Sequence, residues 1–140
     1  MSRENLDLVR SVYAAWERGD FRSADWAYPN IEFVMADGPT PGSWTGVAEM
    51  AEAWRDFLSA WDEFRTEVDE YIELDRERVL VLVRRSGRGK TSGLEVEHMR
   101  TTGAHLFHVH GGKVTRFVRY WNRDRALADL GPASENDERE

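Results

Sequence analysis

Four histidines lie within the segment 98–110, at positions 98, 105, 108 and 110. Imidazole side chains bind transition metals and exchange protons near neutral pH. His108 and His110 share one face of a predicted strand, and His98 could oppose them across a hairpin. No acidic or histidine-rich ligand motif accompanies them, and His110 belongs to a turn, so we predict no metal site. Proton transfer is therefore the chemistry that we consider first.

Carboxylates and one arginine are the other candidates. Asp37 follows the first predicted strand, where a carboxylate can accept a proton, although Asp-Gly-Pro is also an ordinary turn sequence. Glu95 and Glu97 alternate with apolar residues and so share one sheet face, for which the outer orientation is favoured over the inner one. Arg119 needs a carboxylate or an anionic ligand if it points inward, and Glu97 or Asp37 could supply the carboxylate. In the opposite strand phase Arg119 is simply solvated.

Apolar residues at helical spacing predict the helices that would position these side chains. One helix runs from Leu6 to Gly19, with the stripe Val9, Tyr13 and Trp16. Asp20 could cap a short second helix that reaches Trp26. Thr45 is expected to cap a long helix. The apolar stripe of that long helix is Val47, Met50, Trp54, Phe57 and Trp61. A last helix covers residues 123–130.

The strands are predicted from period-two alternation and turn signals. One is expected at 31–36, followed by a Pro- and Gly-rich loop at 37–42. The remaining predicted strands are 66–74, 79–83, 94–101, 105–110 and 114–121. The strand at 79–83 is apolar throughout and is expected to be covered on both faces, and Gly103 is expected to mark a bulge or bend. The order of elements predicts an α+β fold, with a strongly curved antiparallel sheet wrapped over the N-terminal helices.

Composition restricts the function classes. The chain has 140 residues, 41% of them hydrophobic, and a formal net charge of -7, which suits one globular domain and argues against a nucleic-acid partner. Residues 132–140 hold four acids and one base, so we expect a domain at 1–131 and a disordered acidic tail. The absence of cysteine excludes disulfides and a thiolate nucleophile. Without a long apolar run or a signal core we expect no membrane association and a cytoplasmic location.

Four stretches carry a family resemblance: residues 13–21, 44–46, 110–114 and 122–127. With the order of elements, they make the chain similar to the nuclear-transport-factor-2-like (NTF2-like) superfamily, and in detail to its SnoaL-like group, over about residues 5–131. The resemblance implies an NTF2-like (cystatin-like) cone with a pocket between sheet and helices, and a dimer formed through the convex sheet face. Members isomerise ketosteroids, cyclise polyketides, dehydrate scytalone or hydrolyse epoxides, and many only bind or scaffold.

Ketosteroid isomerases of this superfamily use a helix tyrosine, a strand aspartate and a protonated aspartate deep in the sheet. Carried over by alignment, these roles fall on Val12, on Met35 or Asp37, and on His105. Two of the three roles are therefore absent, and classical ketosteroid isomerisation is not expected. His105 becomes the first candidate for a general acid or base, with Asp37 or Glu97 assisting; the alternative is a histidine hydrogen-bonded within the sheet.

Aromatic residues are the expected ligand wall, because large aromatic walls with few polar groups suit an apolar, ring-containing molecule. The chain has six tryptophans. Trp54 and Trp61 are assigned to the core stripe of the long helix, and the other four to the pocket or, alternatively, to core packing. The predicted ligand-binding residues are Trp16, Trp26, Trp44, Phe107, Phe117, Arg119 and Trp121.

Two functions follow as hypotheses. The first is a pocket protein that binds or converts a hydrophobic ring-containing metabolite by acid–base chemistry, without a cofactor or metal. The alternative is a non-catalytic, dimeric ligand-binding or interaction module.

Overall fold

A computed structural model of the chain describes residues 2–17, 25–37, 41–59, 61–89 and 98–130. This part forms three helices and six strands. In chain order they are α1 (Ser2–Glu17), β1 (Ala27–Met35), β2 (Gly42–Thr45), α2 (Val47–Leu58), β3 (Trp61–Glu73), β4 (Arg78–Gly89), β5 (His98–His110), β6 (Lys113–Tyr120) and α3 (Arg123–Leu130).

The strands form one curved, open sheet in the order β2-β1-β6-β5-β4-β3. Neighbouring strands are antiparallel, apart from β1 and β6, which run parallel with Phe33 beside Phe117. On β5, His105 lies between Val81 of β4 and Arg119 of β6. The predicted α+β architecture is confirmed.

Alternation along the strands divides the apolar side chains into two layers. We call the sheet face covered by α1 and α2 the inner face. The apolar side chains packed between this face and the helices form the inner layer, whose buried residues include Val9, Ile31, Phe33, Val81, Phe107 and Phe117. The opposite, outer face lies against α3. Its buried residues include Leu80, Leu106, Val118, Tyr120 and Ala126. The segment 79–83 supplies buried residues to both faces, as predicted.

The long helix begins and ends differently from the prediction. It starts at Val47 after Gly46, whose φ is 96°, and no side chain caps it. Thr45 lies in β2 instead, and its backbone N–H donates to Glu49 Oε1 at 3.0 Å. Trp61, predicted to extend the helical stripe, is the first residue of β3, so its assignment to the helix was wrong.

The sheet is regular where a bulge or bend was predicted and irregular elsewhere. Gly103 pairs with Val83 in a continuous register, so the expected bulge there was wrong. One of several register shifts in the sheet lies between Val68 and Glu70 of β3. It reverses the alternation, so that Val68 packs against the inner layer and Ile72 against the outer one.

The N-terminal strands also depart from the prediction. β1 starts at Ala27, directly after Trp26, so the predicted short helix does not reach Trp26 in the described residues. β2 occupies residues that were expected to form a loop and a helix cap. Three predicted features lie outside the described residues: the rest of the short helix, Glu97 and the tail 132–140.

The hairpin between β5 and β6 is confirmed at the expected turn. Gly111 and Gly112 have φ values of 60° and 80°, a left-handed conformation that glycine adopts without steric cost. None of the described helices is long and apolar enough to cross a membrane.

Candidate functional site

His105 lies at the centre of the inner face. Its position on β5 places it between Val81 and Arg119 on the neighbouring strands, and its side chain is only 1% exposed. A polar ring this deeply buried needs hydrogen-bond partners, because an unpaired polar group costs free energy in the interior. Both of its nitrogens have one.

Tyr13 is the first partner, and the sequence analysis did not select it. Its hydroxyl forms a hydrogen bond with His105 Nδ1, and the two rings stack with centroids 5.8 Å apart. Alignment to ketosteroid isomerases had placed the helix tyrosine at Val12, one position away. The signal that could have found Tyr13 was its place in the apolar stripe between Val9 and Trp16, which α1 turns toward the sheet.

Arg119 is the second partner. Its Nε donates to His105 Nε2 at 3.3 Å. Because arginine has no acceptor, this bond leaves Nε2 without a hydrogen and puts the single hydrogen of a neutral imidazole on Nδ1. Nδ1 then donates to the Tyr13 oxygen, and the hydroxyl hydrogen of Tyr13 is available to another acceptor. We call these three residues the inner hydrogen-bond chain.

Burial keeps the two titratable rings of this chain uncharged. Desolvation, followed by the fields of Arg119 and Arg85, lowers the pKa of His105 well below its ordinary value. Desolvation raises the pKa of Tyr13 well above its ordinary value, although Arg119 opposes the shift. Tyr13 therefore stays a donor and His105 stays neutral across the physiological pH range.

The positive charge at this site comes from two buried arginines, Arg85 on β4 and Arg119 on β6. Their side chains are 2% and 6% exposed. Arg85 donates to the carbonyl oxygens of Tyr120 and Trp121, at 3.2 and 3.3 Å to Tyr120. Arg119 stacks over the ring of Trp54, with its guanidinium carbon 4.1 Å from the ring centroid. The sequence left open whether Arg119 points inward or into solvent, and in the structure it points to the inner face.

Gly103 makes room for Arg85. A Cβ atom built at Gly103 would lie 2.0 Å from Arg85 Nη2. The absence of a side chain at this β5 position allows the guanidinium to lie across the strand, which explains the glycine that was predicted to mark a bulge.

Aromatic rings surround the inner hydrogen-bond chain. Phe117 stacks on Phe107 at 4.6 Å between ring centroids and meets His105 edge-on at 5.5 Å. Phe117 also contacts the rings of Trp16, Trp26 and Phe33. Trp44 packs against Phe33, and Trp121 against Phe57. The predicted wall residues thus lie on or beside the inner layer, with the four tryptophans half-buried and the phenylalanines buried.

Asp37 is held by the backbone at the junction of β6 and α3. Its carboxylate oxygens accept the backbone N–H groups of Trp121 at 2.7 Å and Asn122 at 3.2 Å. Its charge acts on Arg85, where it opposes the lowering of the pKa. Asp37 therefore lies near Arg85, and its hydrogen bonds hold the backbone between β6 and α3 in place.

His108 and His110 lie apart from this site. His110 is exposed and pairs with Glu77 at 3.1 Å, while His108 is half-buried on the outer face, near Arg116 and Arg78. The described residues contain no group of three or more histidines or carboxylates able to hold a metal ion.

Comparison with known proteins identifies the family. The model of the SnoaL-like domain matches residues 9–117, which is most of the chain. The chain belongs to the SnoaL-like domain family. No curated protein matches its sequence.

Solved structures agree on the fold. An NTF2-like protein of unknown function from Burkholderia pseudomallei is 22% identical, with 94% of this chain and 99% of that chain covered and a TM-score of 0.75. TerC, co-crystallised with polyporic acid, is 21% identical, with coverages of 91% and 97% and a TM-score of 0.72. A putative polyketide cyclase from Xanthomonas campestris is 20% identical, with coverages of 93% and 98% and a TM-score of 0.65. The predicted NTF2-like fold of this SnoaL-like domain is confirmed.

Proposed function

We propose that this SnoaL-like domain binds a small, hydrophobic, ring-containing molecule at its inner face and converts it by cofactor-free acid–base chemistry, as an isomerase, cyclase or dehydratase would. The observation that carries the proposal is the inner hydrogen-bond chain, in which buried polar groups lie among aromatic rings. The solved relatives add weight, since one was crystallised with polyporic acid and another is a putative polyketide cyclase.

The proposed chemistry uses the hydroxyl of Tyr13 as the group that meets the ligand. Its hydrogen is available because its oxygen already accepts from His105. A donor fixed in a water-poor interior stabilises an oxyanion that develops on a substrate carbonyl, because no solvent has to reorganise. His105 holds the hydroxyl in place, and Arg119 adds positive charge to the chain.

Removal of the substrate proton is the other half of the reaction. His105 itself was the leading candidate from the sequence, but both of its nitrogens are engaged, so its exchange with a ligand would pass through Tyr13. We propose Asp37 or Glu97 as the assisting carboxylate. Asp37 would act only after releasing one of its two backbone hydrogen bonds.

A neutral bicyclic ketone tests this proposal. The exchange of the α-hydrogens of 2-tetralone for deuterium in D2O, followed by proton NMR, reports enolisation directly. We expect the wild-type protein to accelerate the exchange, and Tyr13→Phe and His105→Gln to lose on the order of a hundredfold of that acceleration. His110→Gln removes an exposed imidazole and serves as the matched control. Exchange no faster than with an equal concentration of His105→Gln would contradict the catalytic proposal.

The alternative, a non-catalytic binding module, is supported by one observation: neither nitrogen of His105 is available to accept a proton directly. Saturable binding of 2-tetralone without accelerated exchange would favour this alternative. The dimer expected through the convex sheet face stays a prediction, to be tested by light scattering. On the outer face, Leu106 and Val118 are already buried within the single chain, whereas Ile72, Leu74 and Leu82 are only partly buried.

A further inference from the structure

Among the described residues, several surface arginines pair with carboxylates, whereas the two arginines of the inner face, Arg85 and Arg119, do not. Ion pairs within 4.0 Å join the exposed or half-buried arginines to acidic residues on the surface. These surface arginines are Arg78, Arg84, Arg116, Arg123 and Arg125. In the part of the chain that the structure describes, no ion pair involves Arg85 or Arg119.

Arg85 is fixed in place and compensated only in part. Two backbone carbonyls accept from its terminal nitrogens, and its guanidinium lies over the Trp121 ring at 4.5 Å. Its Nε is buried without a hydrogen-bond partner among the described residues. The positive charge of Arg85 is balanced in part by these carbonyl dipoles and by the more distant carboxylate of Asp37.

Arg119 is the less compensated of the two. Its hydrogen bond within the described residues is the one from Nε to His105, which leaves the terminal nitrogens directed over Trp54 and Phe57. Burial and the neighbouring Arg85 lower the pKa of Arg119 to about 9, so the group is still charged at neutral pH. Nothing acidic in the described chain offsets that charge.

A buried cation without an anion is costly, and folded proteins normally supply a counter-ion or a ligand. Planar guanidinium groups bind planar oxyanions with two parallel hydrogen bonds. The rings on which Arg119 stacks provide flat apolar surface beside the charge. Charge and surface together fit a molecule that is both acidic and aromatic.

On the basis of the proposed small-molecule function, we propose that the ligand of this SnoaL-like domain carries an oxyanion, a carboxylate or an ionised enol attached to its ring system, which binds to Arg119 with Arg85 as a second positive charge.

Pairs of probes that differ only in charge test this proposal on the wild-type chain. 2-Naphthoate is compared with 2-naphthamide, and 2-hydroxy-1,4-naphthoquinone, ionised at pH 7, with its neutral 2-methoxy ether. Dissociation constants are measured by isothermal titration calorimetry. We expect each acid to bind at least about tenfold more tightly than its neutral counterpart, as charge-assisted hydrogen bonds imply. The pair with the larger ratio tells whether a carboxylate or an acidic enol is preferred.

The variant Arg119→Met tests whether Arg119 is the residue that binds the oxyanion. Methionine keeps the apolar stem and removes the charge, so the fold is expected to persist, which thermal unfolding checks. The variant should lose the tenfold preference for acids while still binding the neutral probes. Arg116→Met, an exposed position on the same strand paired with Glu32, is the matched control and should keep the preference.

The possible results separate this inference from the function on which it rests. Equal binding of acids and neutral probes by the wild-type chain would overturn the oxyanion while leaving small-molecule binding intact. Binding of neither kind of probe would overturn the proposed function as well. A preference for acids that survives in Arg119→Met would also contradict the assignment.

Discussion

Arg84 and Arg85 are consecutive residues of β4, and the sheet places their charges in opposite environments. Arg84 lies on the outer side, with its side chain 58% exposed and its Nε 2.6 Å from Asp69 Oδ1. Arg85 points to the inner face, 2% exposed, among aromatic rings and backbone carbonyls. Both residues are arginines and add the same charge to the composition. Arg84 nevertheless forms a solvated ion pair, whereas the charge of Arg85 is buried.

The same contrast separates the two faces of the whole sheet. Asp69 accepts hydrogen bonds from Arg84 and Arg123, and these side-chain bonds lower the pKa of its carboxyl. An exposed pair such as Arg84–Asp69, in which the arginine side chain is 58% exposed, contributes little to stability. On the inner face, Arg119 has no such carboxylate among the described residues and is costly to keep. A costly arrangement that a simple apolar residue could replace indicates a role in binding.

The largest expected effect is that of removing the buried charge. Arg119→Met should raise the free energy of unfolding by about 1–3 kcal/mol, because the gain from replacing an uncompensated cation with an apolar side chain exceeds the cost of leaving His105 Nε2 without its donor. Chemical denaturation followed by tryptophan fluorescence measures the change. Arg116→Met, on the surface, should change stability much less. A variant less stable than wild type would show that the charge of Arg119 is stabilising and that our comparison is wrong.

The next effect concerns the space that Arg85 occupies. Gly103→Ala should lower the free energy of unfolding by about 1–3 kcal/mol, because the new methyl group would overlap the guanidinium. The guanidinium cannot move without losing its bonds to Tyr120 and Trp121. The double variant Gly103→Ala, Arg85→Met should recover most of the loss in the same denaturation experiment. Equal losses in the single and double variants would mean that the glycine serves some other purpose.

A smaller effect is expected from the neutral His105. Burial lowers its pKa in the folded state, whereas an unfolded histidine titrates near 6.5. Below pH 6.5 the unfolded chain therefore binds a proton that the folded chain does not, and stability falls by up to about 1.4 kcal/mol per pH unit from this group. Above pH 6.5 the group has no effect.

Denaturation curves at pH 7.5 and 5.5 measure this slope. His105→Gln should flatten it. An identical pH dependence in wild type and His105→Gln would contradict a neutral, buried His105.

The smallest effect is expected on the outer side. Asp69→Asn removes the carboxylate shared by Arg84 and Arg123. The loss of stability should be smaller than for any of the inner changes and should shrink as salt is added, because exposed charges are screened. A loss that matches the Gly103→Ala effect would remove the distinction between the two faces.

Much of the fold could be predicted from the sequence because its patterns are local. The apolar run at 79–83 and the Gly111-Gly112 turn follow from side-chain alternation and backbone conformation, and both are observed. The phase of β3 could not be predicted, since the register shift before Glu70 depends on pairing with β4. Trp61 continues a helical period by coincidence and belongs to a strand.

The candidate site was only partly predictable for the same reason. His105, Phe117 and Arg119 follow from strand alternation once the inner face is known. The role of Tyr13 was not predicted, because its partner His105 is far away in the chain and because its own spacing indicates an ordinary core residue. The purpose of Gly103 depends on Arg85 of another strand, which no pattern within β5 reveals.

The most direct test of the account is the protonation state of His105. Long-range nitrogen–proton correlation NMR on uniformly 15N-labelled protein distinguishes the two neutral tautomers and the imidazolium, with His105→Gln identifying the signal. The inner hydrogen-bond chain predicts a hydrogen on Nδ1, none on Nε2, and no change between pH 7.5 and 5.5. A hydrogen on Nε2, or an imidazolium that titrates in this range, would contradict the chain from Arg119 through His105 to Tyr13.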